Sequence, residues 1–165
     1  MIEIIIYIIV SYIFTNLAGW FIHWAIHQKW AGLFNRSHMA HHQTFYPEND
    51  LTSDIYRDAG SDSTPRYFIA IASPLIIIPI ILAVLGIIPI SFMIILLSMY
   101  GVMGYLNNYV HDSMHINNHI LSRLPIISHF FEKWKKLHFA HHENMASNYG
   151  IFTFYFDRLF GTYSK

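Results

Sequence analysis

Two long uncharged stretches limit the folds that this chain can adopt. Residues 4–22 contain neither a charge nor a histidine, and the same holds for residues 67–110. The first stretch has 19 residues, enough for one helix to cross a hydrocarbon core of roughly 30 Å, and the second, with 44 residues, is long enough for two crossings. Residues 86–89 (Gly-Ile-Ile-Pro) predict the turn between these two crossings. The sequence therefore predicts an all-α polytopic membrane protein with about three transmembrane helices.

The polar residues all lie on one side of these predicted spans. Residues 23–66 and 111–165 contain all twelve histidines and all ten lysines and arginines, whereas the N-terminus and the turn at Gly86 contain none. By the positive-inside rule, the histidines and the C-terminus face the cytoplasm. The N-terminal span lacks a basic region before it and a cleavage site of small residues after it, so we expect it to be retained rather than removed as a secretory signal.

The composition agrees with a membrane protein and excludes several kinds of site. Charged residues make up 12% of the chain, about half of the roughly 25% that is typical of soluble domains. There is no cysteine, which excludes disulfides and cysteine-ligated iron–sulfur clusters, so any electrons must come from a separate carrier. The formal net charge of zero argues against a nucleic-acid partner.

Ten of the twelve histidines form four clusters at helical spacing. The clusters are His23 and His27; His38, His41 and His42; His111 and His115; and His138, His141 and His142. Residues three or four apart share a face of a helix, whereas adjacent histidines point about 100° apart around it. Adjacent histidines can therefore serve two neighbouring metal ions, and ten imidazoles exceed the four ligands of an ordinary zinc site. The sequence predicts a two-metal centre at the membrane boundary, and imidazole alone leaves iron, zinc, copper and nickel open.

Several other side chains are candidates to support such a centre. Carboxylates near the clusters would orient imidazoles or offset the charge of the metals, and the candidates are Asp112, Asp50, Glu132 and Glu143. His119 continues the i+4 series from His115 and is an open candidate, whereas we expect His129 to be a surface residue.

The tail contains an amphipathic segment rather than a further span. Its apolar residues recur at helical spacing, as Ile127, Phe130, Phe131, Trp134 and Leu137, with charged residues between them. We expect a helix that lies in the membrane interface with its lysines reaching toward headgroups. The alternative is a helix packed on the histidine-rich loop with its lysines in solvent.

The order of these motifs resembles the membrane fatty acid hydroxylase superfamily, which includes sterol desaturases and carotenoid hydroxylases. The resemblance rests on the four histidine clusters between hydrophobic spans. It also rests on residues 148–150 (Asn-Tyr-Gly) and 157–162 (Asp-Arg-Leu-Phe-Gly-Thr) after the last cluster. It extends over residues 23–162 and implies a single domain across residues 1–165.

The resemblance implies a non-haem di-iron centre that uses O2 to oxidise an unactivated C–H bond to an alcohol or an alkene. The substrate would be lipid-like, such as a fatty acyl, sterol or other long apolar chain, and would enter from the bilayer. Electrons would come from a separate carrier protein, ferredoxin-like or haem-containing. The iron ligands implied are His23, His27, His38, His41, His42, His111, His115, His138, His141 and His142, with Asp112 beside them.

Three alternative functions remain at this stage. Residues 49–51 (Asn-Asp-Leu) and the short chain are similar to bacterial carotene hydroxylases, which oxidise the carotenoid ring. Against this, three residues separate His111 from His115 where carotene hydroxylases usually have four, and residues 157–162 are instead typical of the sterol desaturase and fatty acid hydroxylase branch. A second alternative is a metal-binding or metal-transport membrane protein. Transporters usually place ionisable ligands near the middle of the bilayer, whereas residues 4–22 and 67–110 contain none. A zinc-dependent lipid hydrolase would use the same imidazoles without O2.

Overall fold

The computed structural model describes residues 2–57 and 64–165. Within these ranges the chain is helical and contains no strand, which confirms the all-α prediction. The α-helices of the described residues are α1 (Ile2–Ile26), α2 (Leu33–Ala40), α3 (Thr64–Val84), α4 (Ile90–Met114), α5 (Ile127–Glu143) and α6 (Tyr155–Phe160). A short π-helix, His41–Phe45, continues α2 without a break.

Helices α1 and α4 are each 25 residues long and apolar enough to cross a membrane. They run parallel and side by side, because contacts rise together along both helices. The ring centroids of Tyr7 and Phe92 are 5.1 Å apart, and those of Phe14 and Tyr100 are 6.3 Å apart. Only 17% and 11% of their most apolar windows are buried inside the protein. Most of their apolar side chains therefore point outward, as expected of helices that face lipid.

Helix α3 lies between α1 and α4 in the sequence. It packs on α4 and ends just before Gly86, whose φ of +71° favours glycine and makes the predicted turn. Its described apolar part, Ser73–Val84, is shorter than a full span, so the count of three crossings stays a prediction. The predicted uncharged stretch begins at residue 67, and the side chains of residues 67–72 lie outside the described residues.

The apolar stripe of helix α5 has a buried part and an exposed part. Phe131 is fully buried against Val110 and Met114 at the end of α4, and Leu137 is also buried. Ile127 and Phe130 are exposed, so the helix has an outward apolar edge as well as a packed face. The packing of α5 on the core agrees with the alternative interpretation, and contact between its exposed edge and the membrane interface stays a prediction.

Candidate metal centre

The first group of histidines gathers at the ends of α1, α2 and α5. His23, His27, His38, His42 and His141 each offer one ring nitrogen, and these nitrogens lie within 4.8 Å of one another. The Nε2–Nε2 distances are 3.1 Å for His23–His38, 2.9 Å for His27–His38, 3.0 Å for His27–His141 and 3.1 Å for His38–His42. We call these five residues the first cluster.

The second group lies beside it, at the end of α4. It consists of His41, His115, His138 and His142, whose ligand atoms also lie within 4.8 Å of one another. The Nε2 of His138 lies 3.0 Å from that of His115 and 3.2 Å from that of His142. His111 borders this second cluster, with its ring centroid 4.7 Å from the rings of both His41 and His138.

Adjacent histidines divide between the two clusters. His41 belongs to the second cluster and His42 to the first, whereas His141 belongs to the first and His142 to the second. This is the arrangement that the rotation of about 100° per residue predicts. The two H-x-x-H-H motifs therefore each join both clusters, so that neither cluster can form without both motifs.

In four histidines, a hydrogen bond at Nδ1 fixes the direction in which Nε2 points. Backbone carbonyls accept hydrogen bonds but cannot donate them, so a histidine whose Nδ1 contacts a carbonyl carries its proton there. The pairs are His23 with Tyr149 (2.6 Å), His141 with Ser147 (2.5 Å), His115 with Leu51 (2.7 Å) and His142 with Tyr46 (2.9 Å). Their Nε2 atoms then carry lone pairs, and these lone pairs point toward the other ring nitrogens of the clusters.

These converging lone pairs fit metal ions. Two nitrogens that face each other with lone pairs cannot hydrogen bond, and His41 Nε2 is buried with no hydrogen-bond partner among the described residues. Nitrogen ligands lie about 2.1 Å from a metal ion, so two ligands at a right angle are about 3 Å apart, close to the spacings seen here. A cation at each cluster would satisfy groups that the protein leaves unsatisfied.

Burial keeps the imidazoles neutral, which is the form that binds metal. It lowers the pKa of His27 and of His142 to about 4, and that of His115 to about 2. Burial, together with the neighbouring imidazoles, also holds several pKa values well below the usual 6.5, those of His38, His41, His138 and His141. The lone pairs of both clusters are therefore free for ligation at neutral pH.

The C-terminal tail supports the first cluster, and Asp157 is its centre. Asp157 is fully buried. Its carboxylate accepts hydrogen bonds from the amides of Tyr149 (2.7 Å) and Gly150 (2.9 Å), from Trp20 Nε1 (3.1 Å) and from Thr162 Oγ1 (2.8 Å). A Cβ at Gly150 would lie 2.1 Å from the carbonyl oxygen of Thr153, so only glycine fits. Residues 147–162 form what we call the C-terminal brace, which holds the carbonyls that face His23 and His141.

A separate segment supports the second cluster. Residues 46–57, which we call the loop brace, bring the carbonyls of Tyr46 and Leu51 to His142 and His115. The buried Tyr46 ring also stacks on His115 with centroids 4.0 Å apart. Arg57 fastens the segment, because its guanidinium donates to Asp50 Oδ2 (2.6 Å) and Oδ1 (2.8 Å) and to the carbonyls of Phe45 and Thr52 (2.8 Å each).

An apolar cavity leads from the histidines into the helices. It has a volume of about 570 Å³, within the usual range for sites that bind small molecules. His23, His38 and His41 line one end, and Leu75, Leu97 and Gly101 line it between α1, α3 and α4. The cavity therefore joins the candidate metal centre to the part of the protein that faces hydrocarbon.

The family model for fatty acid hydroxylases matches residues 8–162. This chain belongs to the fatty acid hydroxylase family. The family is generally one of oxidoreductases and is typically iron-dependent, and together with the two apolar helices it indicates a membrane protein. Comparison with curated proteins and with solved structures gives no significant match.

In this member of the family, the candidate carboxylates do not all lie beside the histidines. Asp112 Oδ1 lies 3.0 Å from Nδ1 of His111, in the position expected of a residue that orients an imidazole. Asp50 instead pairs with Arg57, and Glu132 and Glu143 are exposed on α5. The expected carboxylate support is thus largely replaced by backbone carbonyls.

The two remaining histidines lie outside both clusters. His119 begins a short 3-10 turn, where its ring accepts from the amide of Leu121 at 3.4 Å. His129 is exposed on α5, as expected for a surface residue.

Sequence reasoning assigned no supporting role to the backbone carbonyls of the two braces or to Asp157. A backbone carbonyl belongs to every residue, so no side-chain pattern identifies those of Tyr46, Leu51, Ser147 and Tyr149. Asp157 did carry a signal, because it is an acid surrounded by aromatic and apolar residues at 154–160 (Phe-Tyr-Phe-Asp-Arg-Leu-Phe). Acids are rarely buried unless they are partnered, and that pattern indicates a structural carboxylate.

Proposed function

We propose that this protein is a membrane-bound, O2-dependent, non-haem di-iron oxidoreductase that hydroxylates or desaturates an unactivated C–H bond of a lipid-like substrate. The observation that carries the proposal is the pair of histidine clusters at the end of an apolar cavity. Two sets of converging imidazole lone pairs fit two metal ions, and the cavity offers a long apolar molecule a path to them. Family membership favours iron and oxidation.

Each cluster would hold one ion in this proposal. The first cluster would supply His23, His27, His38, His42 and His141, and the second His41, His115, His138 and His142, joined by His111. Two iron ions held there would supply O2 activation and oxidation of the C–H bond, which protein side chains alone do not perform.

The protein itself would orient the imidazoles, keep them neutral and exclude water from the centre. The carbonyls of the two braces hold four imidazoles with the proton on Nδ1, so that Nε2 faces inward. Asp112 does the same for His111. The cavity walls on α1, α3 and α4 would align a long chain and place one of its carbons beside the histidines, away from bulk water.

We further propose that the clusters lie on the cytoplasmic side. The lysines and arginines of residues 23–66 and 111–165 support this orientation. A separate electron carrier, ferredoxin-like or haem-containing, would approach from that side, because the chain has no cysteine for an iron–sulfur cluster of its own.

The test is product analysis in a host that makes both fatty lipids and carotenoids. Lipid extracts from cells that express the wild type, grown with and without O2, are compared by mass spectrometry with extracts from His41→Ala cells. We expect one oxidised lipid that requires both O2 and His41. A gain of oxygen would identify hydroxylation, and a loss of two hydrogens would identify desaturation.

The matched control is His129→Ala, which removes an exposed histidine outside both clusters. It should make the same product as the wild type. Identical lipid profiles for the wild type and His41→Ala would contradict the proposal. A lipid product that forms equally well without O2 would favour a zinc-dependent hydrolase instead, and a carotenoid product would identify the branch as carotenoid hydroxylase.

A further inference from the structure

Two hydroxyl groups in the membrane-embedded part of the cavity lack hydrogen bonds. Thr15 Oγ1 and Tyr100 OH are both buried with no partner among the described residues. Both residues also line the cavity, Thr15 from α1 and Tyr100 from α4. Among the described lining residues, they are buried and unpartnered groups away from the histidines, and a bound molecule that reaches between α1 and α4 could satisfy them.

Their depth makes the lack of partners informative. Tyr100 lies at least about 15 Å along α4 from either end of the helix, at 1.5 Å per residue. No water is available in the hydrocarbon core, so a polar group there normally bonds to protein. Two other polar side chains of the same helices follow this rule: Asn16 donates to the carbonyl of Tyr12 (2.8 Å), and Ser113 donates to that of Tyr109 (2.6 Å). Ser11 on α1 is also unpartnered, but it is not among the lining residues of the cavity.

The two hydroxyls lie at a common depth, away from the histidines. Helices α1 and α4 run parallel, and Phe14, next to Thr15, contacts the Tyr100 ring with centroids 6.3 Å apart. Along the helix axes, Thr15 is about 12 Å from His23 and Tyr100 is about 16 Å from His111. A molecule that reached from these hydroxyls to the clusters would be a long one.

We propose that Thr15 and Tyr100 bind an uncharged oxygen, a hydroxyl or a carbonyl, of the substrate. The inference rests on the proposed function and narrows its substrate class. The substrate would be an oxygenated lipid whose polar group lies roughly 12–16 Å from the carbon presented to the histidines, and an unsubstituted hydrocarbon would bind less well. An ionised group fits poorly, because the charged residues among the described lining residues, Arg57 and Asp112, lie beside the histidines rather than at this depth.

Equilibrium binding to the purified full-length protein in detergent tests the inference without iron, O2 or turnover. Radiolabelled 1-hexadecanol is bound and then competed with unlabelled 1-hexadecanol, hexadecan-2-one or hexadecane. We expect the alcohol and the ketone to compete at least about tenfold better than the alkane, since each hydrogen bond contributes severalfold. Tyr100→Phe and Thr15→Val should each reduce that preference about three- to tenfold. Thr15→Ser, which keeps a hydroxyl, should retain it.

Two control variants separate binding from structure. Ser11→Ala removes another buried, unpartnered hydroxyl that is not among the lining residues, and Tyr105→Phe removes an exposed phenol on α4. Neither should change the preference. Because an unpaired buried hydroxyl destabilises a protein, Tyr100→Phe should also keep or raise the thermal midpoint of the ligand-free protein.

Equal competition by alcohol and alkane would overturn the inference. So would a Tyr100→Phe variant that melts earlier without ligand and keeps the wild-type preference, because the phenol would then be structural. Product formation in cells with equal alcohol and alkane binding would leave the proposed function standing and this inference wrong. A clear alcohol preference without any oxidised product would do the reverse.

Discussion

The two histidine clusters use the same residue type and similar nitrogen spacings, but different parts of the chain support them. The first depends on the C-terminal brace, whose centre is the fully buried carboxylate of Asp157. The second depends on the loop brace, whose centre is Arg57, a guanidinium with 29% of its side chain exposed, paired with an Asp50 side chain that is 56% exposed.

This difference predicts unequal sensitivity. Hydrogen bonds to a buried charge are strong, and the loss of one partner leaves the others unsatisfied. Exposed ion pairs contribute little and are screened by salt. The first cluster should therefore depend strongly on one residue of its brace, whereas the second should tolerate the loss of its ion pair.

The largest expected effect comes from removing one proposed metal ligand of either cluster. We expect His38→Ala, in the first cluster, and His138→Ala, in the second, each to lower product formation by more than about 100-fold, because removal of a direct ligand should cost more than the 10–100-fold typical of its hydrogen-bond partners. Bound iron, measured by elemental analysis, should fall from two ions per chain toward one. His129→Ala should retain both ions, and full iron loading in His38→Ala would show that the clusters are not two separate sites.

Acidification of the metal-free protein tests how strongly burial lowers the pKa values of the imidazoles in each cluster. The folded pKa values of His27, His142 and His115 lie below the unfolded value of 6.5, so the unfolded chain binds more protons as the pH falls below about 6.5. The free energy of unfolding is therefore highest above that pH. Below it, the free energy of unfolding falls by up to about 1.4 kcal/mol per pH unit for each such histidine.

The thermal midpoint of chelator-treated protein between about pH 7 and pH 5 measures this slope. His38→Ala and His138→Ala should each reduce it by a similar amount, because burial depresses both pKa values. A midpoint that does not change over this range would mean that the imidazoles of both clusters are hydrated.

Asp157→Asn tests the C-terminal brace. The substitution replaces one acceptor oxygen with an NH2 group, which would then face a backbone amide of Tyr149 or Gly150. We expect iron binding at the first cluster to weaken about 10- to 100-fold, the usual effect of losing a partner that orients a ligand, with the second cluster less affected. A two-step iron titration measures both sites, and Asp50→Asn, which alters the other brace, should spare the first cluster.

The spans and the histidines could be predicted from the sequence because both signals are local. Uncharged runs predict α1 and α4, and the i, i+3, i+4 spacing places His38 with His42 and His138 with His142, as the structure has them. The division of His41 and His42 between clusters follows from helix geometry alone. Family resemblance added the expectation of iron and of an oxidation reaction, which imidazole spacing leaves open.

The braces could not be predicted in the same way, because they depend on distant backbone contacts. The carbonyl of Tyr149 meets His23 across 126 residues, and that of Tyr46 meets His142 across 96 residues. The cavity hydroxyls are similar: Thr15 and Tyr100 are ordinary residues of apolar helices until packing places them against the same cavity. Side-chain type predicted which histidines come together, whereas packing determines the orientation of their rings and the shape of the cavity beside them.

Arg57→Met is expected to have the smallest effect and therefore tests the comparison most closely. Methionine keeps an apolar stem but removes the ion pair with Asp50 and the hydrogen bonds to the carbonyls of Phe45 and Thr52. Because the pair is exposed, we expect iron binding at the second cluster to weaken only about two- to fivefold, with a smaller difference from wild type at high salt. Arg36→Met, an exposed arginine on α2, is the matched control. A loss at the second cluster as large as that of Asp157→Asn at the first would show that the loop brace is as critical as the buried one, and that exposure does not determine which brace matters.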